Sequence, residues 1–217
     1  MYVINENKIK LMMIKRLSIA IFSLLVLTAC GTDEPKATYK YELNPKYGYG
    51  YAEFFGAWNA DYNNPNNVIA ISLFTDSLSI TDEGDLAGLG QFLFIENIFV
   101  PNTYNYLVDG TYTASESEAP FTFLPGKKFD VDGFLIDTGA FMLYLEKNNN
   151  FSTQKFISRG TFTVAITDVM HKIDFDLVLS DSSKVKGSFN DTLPHINSSI
   201  SRALNVPKKL TQKYFKK

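Results

Sequence analysis

The chain of 217 residues holds one cysteine, two histidines and one tryptophan, and each shortage removes a class of explanation. A single cysteine, Cys30, cannot form an intramolecular disulfide, so burial must supply the stability. His171 and His195, with no second cysteine beside them, fall short of a zinc donor set, and their spacing to carboxylates points to none. Both are expected on the surface. No G-x-S-x-G stretch marks a nucleophile elbow, so a cell-envelope hydrolase remains a minority reading without located residues, and no cofactor is implied. No apolar run reaches the ~20 residues that a bilayer-spanning helix needs. No repeat of fixed period recurs, and no segment before Pro194 sustains a helical period. Past residue 29 the chain carries 17 basic and 22 acidic groups, which disfavours nucleic acid as a partner.

The uncharged stretch 17–32 follows Lys8, Lys10, Lys15 and Arg16. A basic front, an apolar middle and small residues behind it form the layout of a secretory signal. Its end, Leu27-Thr28-Ala29-Cys30, resembles the lipobox of bacterial lipoproteins. That resemblance implies cleavage before Cys30, acylation of its thiol and of the new amino terminus, and a membrane partner held through several acyl chains, which anchor stably where one would not. The resemblance also implies the outer membrane, because Gly31 stands where an aspartate would retain such a protein at the inner one. Asp33-Glu34 is similar to the export signal of surface-exposed lipoproteins, so the cell surface is expected, with the periplasmic face as the alternative. Met1, Met12 and Met13 are all candidate starts.

Residues 1–29 are therefore expected to be a signal peptide and residues 30–45, with two prolines and no periodicity, a lipidated tether. Residues 46–193 form one β domain and residues 194–217 a basic tail, with a short helix expected after Ser198. In the domain, Phe162, Val164 and Ile166 alternate with polar or small residues, as do Ile173, Phe175, Leu177 and Leu179, which is the period of half-buried strands. A turn at 181–183 that sets Ser180 opposite Lys184 places Phe175 against Phe189 and Leu179 against Val185. Further strands are expected at 68–74, 91–100, 108–113 and 140–146. The run 91–100 is apolar on both faces and needs cover on both sides. These features predict an all-β fold, a single antiparallel β-sandwich or closed β-barrel.

Candidate binding residues come from "KYGYGYAEFFGAW". Tyr47, Tyr49 and Tyr51 occupy one parity, with Phe54 and Trp58 on the other. Coplanar exposed aromatics stack on sugar rings; the commoner role of such a strand is core, with its glycines making room for neighbours. Asn59, Asp61, Asn63 and Asn67 alternate as calcium-loop ligands would, but the glycine and glutamate of that loop are missing, so a hairpin loop is favoured. Asp130–Gly133 is a weaker metal candidate. Asp76-Ser77-Leu78 and Asp191-Thr192-Leu193 are similar to an O-glycosylation acceptor of exported bacterial proteins. The expected role is non-catalytic, binding or structural, with a glycan or a protein as partner. The alternative is a calycin-like barrel that carries a small apolar ligand.

Overall fold

The computed structural model describes residues 42–199 apart from 83–84, 132 and 147–149. The expected signal, the lipobox with Cys30 and nearly all of the tether and tail lie outside the described residues. Among the described residues the chain forms sixteen strands: β1 (Lys46–Tyr47), β2 (Tyr49–Gly56), β3 (Asn67–Phe74), β4 (Leu78–Ile80), β5 (Leu86–Gly88), β6 (Gly90–Val100), β7 (Gly110–Ala114), β8 (Thr122–Phe123), β9 (Lys127–Val131), β10 (Phe134–Thr138), β11 (Ala140–Glu146), β12 (Asn150–Thr167), β13 (Met170–Leu179), β14 (Lys184–Val185), β15 (Ser188–Thr192) and β16 (His195–Asn197). Among the described residues a 3₁₀ turn at Ala60–Tyr62 follows β2. The fold is all-β, and the strands expected from the sequence fall on β3, β6, β7, β11, β12 and β13.

The wall closes through non-local pairing. β1 and β2 are one strand interrupted at Gly48, and β15 and β16 are one strand interrupted at Leu193-Pro194. β1 pairs in parallel with β15, and β2 in parallel with β16. From there β2 pairs β3, β3 pairs β6, β12 pairs β13 and β13 pairs β15, all antiparallel. Between β6 and β12 the wall forks. β11 alone joins them along one half, while β8 and β7, parallel to each other, join them along the other. These five strands therefore close a ring of pairing within the barrel. β16 lies beyond residue 193, where the sequence placed the end of the β domain, and it belongs to the closing seam.

Alternation decides what fills the inside. Ile69, Ile71 and Leu73 of β3, Leu93 and Ile95 of β6, Phe162 and Val164 of β12, and Ile173, Phe175, Leu177 and Leu179 of β13 converge in one buried cluster. Tyr112 and Phe162 stack with ring centres 4.7 Å apart, and Phe123 and Phe175 pack around them at 5.4 and 5.9 Å from Phe162. Each fully buried side chain of this size contributes ~1.5–3 kcal/mol. Every residue of β3 is buried, because its outward set, Val68, Ala70 and Phe74, joins two further clusters outside the wall. That is the double cover the apolar strands demanded.

One expected register is corrected. β13 and the strand after it are antiparallel, but Leu177 faces Val185 and Ile173 faces Phe189, two residues from the expected alignment. The turn keeps its three residues but is centred one residue earlier, because Ser180 N–H donates to Phe156 C=O and stays with β12, while Leu179 N–H donates to Ser183 C=O. Asp181 accepts from Ser183 N–H at 3.0 Å and Ser182 takes the left-handed conformation. A slip of two leaves every side chain on its own face, so Phe175 and Phe189 are still inside.

Candidate functional site

The tyrosine strand does not form one platform. Tyr47 lies inside the barrel, edge-on to Phe175 at 5.9 Å, whereas Tyr49 and Tyr51 face outward. The parity resets at Gly48, where the chain leaves β15 for β3 and Gly48 N–H donates to Phe74 C=O. A Cβ there would run into the Asp76 side chain. Tyr49 and Tyr51 each lay a face on Phe74, with ring planes 10° and 26° apart, and the row continues through Phe92 to Phe94 and Phe141. Tyr49 donates its hydroxyl to Leu78 C=O of β4, and Tyr51 stands opposite Ser72 of β3. Burial raises both phenols above the ordinary tyrosine range, with Asp76 adding to the shift at Tyr49. Trp58 is exposed in the loop after β2.

The asparagine loop is a clasp. Asn59 and Asn64 donate to the Glu118 carboxylate at 3.0 and 2.9 Å, and Asn64 and Asn66 donate to its backbone carbonyl at 3.1 Å each. Asn67 turns elsewhere, donating to Asn102 and Tyr104 carbonyls, so Asn59, Asp61, Asn63 and Asn67 do not converge. Asn63 adopts the left-handed conformation that ends the 3₁₀ turn, a role asparagine tolerates. Among the described residues no group of three or more His, Cys, Asp or Glu is placed to hold a metal, and no helix is long and apolar enough to cross a membrane. His171 sits in β13, half-buried, and His195 in β16 beside Phe54, where burial lowers its pKa. Ser77 and Thr192 are both exposed.

The most exposed apolar feature is a ribbon that the sequence reading passed over. Among the described residues β9 and β10 pair only with each other, with Val131 opposite Phe134 and Phe129 opposite Ile136. Phe129, Val131, Phe134 and Ile136 therefore share one face, and they are 54, 41, 74 and 47 % exposed. Lys128, Asp130, Leu135 and Asp137 take the other. The Asp130–Gly133 stretch proves to be its turn: Asp130 accepts from Gly133 N–H at 2.8 Å, and Gly133 has φ +84°. An Asp-Gly pair between alternating apolar residues is the signal that would have found it.

The ribbon is rooted at the fork of the wall. Pro125 bridges Ala140, Gly126 N–H donates to Ile157 C=O, and Gly139 N–H donates to Glu96 Oε2 at 3.2 Å. At its base Lys127 pairs with Glu116 at 3.0 Å, an exposed pair of small energetic weight. The barrel thus holds both ends of the ribbon and leaves its apolar face open. Comparison with family models, with curated proteins and with solved structures gives no match to this chain.

Proposed function

We propose that this chain is a lipid-anchored protein of the outer membrane, facing the cell surface, with a non-catalytic binding or structural role in which the barrel is a rigid support and the β9–β10 ribbon docks a protein partner. The observation that carries this reading is the open apolar face of the ribbon, held on a barrel whose interior is occupied by its own side chains. A buried apolar cluster running through β3, β6, β12 and β13 counts against the carriage of an apolar ligand, which needs a cavity of several hundred Å³. The glycan reading keeps only the outward parts of Tyr49 and Tyr51, since Phe74 occupies one face of each ring. Anchoring rests on the sequence at Leu27–Cys30.

Two measurements test the proposal. Cys30→Ser should release the protein from carbonate-washed membranes; unchanged retention overturns the lipid anchor. Replacing residues 127–138 by a two-glycine link between Gly126 and Gly139, whose flanks already touch through Pro125 and Ala140, should leave the melting temperature within a few degrees. It should also shift the detergent-extracted protein from a complex to a monomer in size-exclusion chromatography. A ribbon-deleted protein that still migrates as the same complex overturns the docking role.

A further inference from the structure

We infer that the partner of the β9–β10 ribbon is a second copy of this chain, paired antiparallel along the free edge of β9 about a two-fold axis at Phe129. This rests on the docking role proposed above and places the contact at the ribbon's edge, so that the apolar faces of the two copies join side by side into one.

The inference begins with the backbone. A two-residue turn closes on a hydrogen-bonded pair, here Val131 with Phe134. Hydrogen-bonded and non-hydrogen-bonded pairs alternate along an antiparallel ladder, so Phe129 and Lys127 also bond inward to β10. The N–H and C=O groups of Lys128 and Asp130 are then directed to the outer edge of β9. Among the described residues no strand pairs with that edge, and all five residues of β9 are exposed. Such an edge is a template for a further strand.

The charges select both the occupant and the register. A two-fold axis brings β9 against the same segment of its copy, and only three symmetric registers let the outward groups of Lys128 and Asp130 bond each other. An axis at Lys128 opposes lysine to lysine, and an axis at Asp130 opposes aspartate to aspartate. An axis at Phe129 sets Lys128 of each copy opposite Asp130 of the other, twice over, with the backbone bonds made by those same residues. Like charges directly opposite destabilise a strand pair and unlike charges stabilise it. That axis also makes Phe129 face its own copy in a non-hydrogen-bonded pair, where side chains approach most closely. The outer edge of β10 offers no equivalent, since its outward residues, Leu135 and Asp137, would oppose an apolar side chain to a carboxylate. An isologous contact of this kind closes on itself and yields a dimer, not a filament.

The test is made in membranes of cells that produce the full chain. Phe129→Cys should form a self-disulfide under mild oxidation, because only this residue meets its own copy. Val131→Cys lies two residues from the axis, ~14 Å from its own copy at ~3.4 Å per residue, and should not cross-link; the natural chain controls for Cys30. Added to Phe129→Cys, either Lys128→Asp or Asp130→Lys should cut cross-linking roughly five-fold or more, and the two together should restore it. Absence of the Phe129 cross-link, equal cross-linking at Val131, or no restoration by the double exchange overturns the inference. If the ribbon-dependent complex persists while the Phe129 cross-link is absent, the docking role stands and the partner is a different protein.

Discussion

Two hairpins in this chain are built on the same plan and have opposite fates. β12–β13 turns through two residues, with Thr167 opposite Met170, and β9–β10 turns through two residues, with Val131 opposite Phe134. β9, β12 and β13 alternate apolar with polar over most of their length, and β10 sets Phe134 and Ile136 on one face with Leu135 and Asp137 on the other. In the first, Phe162, Val164, Ile173 and Phe175 face the barrel interior and are buried; in the second, Phe129, Val131, Phe134 and Ile136 face solvent. The difference lies outside the hairpins. β12 and β13 have neighbours on their other edges, β7 and β15, which curve the sheet until its apolar face meets the opposite wall. Among the described residues β9 and β10 have none, so their face meets no opposite wall. Alternation tells which face of a hairpin is apolar; closure of the surrounding sheet tells whether that face is used for stability or left for contact.

The comparison breaks first at the interior. Phe162→Ala should cost about 3–5 kcal/mol in urea unfolding, since it empties a site ringed by Tyr112, Phe123 and Phe175, and Phe175→Ala about 3 kcal/mol or more. A loss near 1 kcal/mol for either would mean that this hairpin is no more essential than the ribbon. Next comes the root of the ribbon. Gly139 has φ +77°, and a Cβ there would meet Pro125 O at 2.2 Å, so Gly139→Ala should cost roughly 1–3 kcal/mol; a neutral result would show that the root is not held as described.

Tyr112 sharpens the contrast through pH. Its hydroxyl donates to Val108 C=O at 3.1 Å and accepts from Val108 N–H at 3.3 Å, and burial, the largest cause, pushes its pKa up from 10.0 to about 12. A phenol whose folded pKa lies above its unfolded value gives stability that is fully present below pH 10 and lost as pH rises toward about 12, where the unfolded chain is already ionised. Tyr112→Phe should cost about 1 kcal/mol at neutral pH and flatten that alkaline decline; an unchanged slope would assign the decline to another group. The smallest effect belongs to the ribbon itself, where Phe134→Ser should shift stability by no more than ~0.5 kcal/mol. A larger loss would place Phe134 in a core.

Most of the wall was legible because alternation is local. β12 and β13 follow from period-two patterning, β3, β6, β7 and β11 follow from short apolar runs bounded by turn residues, and the doubly apolar 91–100 run correctly required cover on both faces. The closing seam was not legible, since it joins Tyr47 to Phe189 and Ala52 to His195 in parallel across most of the domain, and no local pattern encodes such a partner. Tyr47 went astray for a related reason: strict alternation carries 47, 49 and 51 to one face, and only the change of pairing partner at Gly48 turns Tyr47 inward. The ribbon was legible and passed over, its Asp-Gly turn weighed as metal ligands instead of as hairpin chemistry. The expectation at Cys30 rests on sequence and chemistry alone.

The parallel seam gives the barrel a mechanical character. Lys186 N–H donates to Leu43 C=O, Ser188 N–H to Pro45 C=O, Ala52 N–H to Pro194 C=O and Ser198 N–H to Phe54 C=O, so the first and last strands of the domain run side by side in one direction. Tension applied before residue 43 and after residue 198 drags these neighbours in opposite senses along their own axes. Every bond of the seam is then strained at once across its length, where an antiparallel seam would open one bond at a time from its end. Unfolding under load is set by the height of the unfolding barrier and not by equilibrium stability, and shear raises that barrier. A barrel closed in this way resists being drawn out between its two ends far better than its modest size suggests.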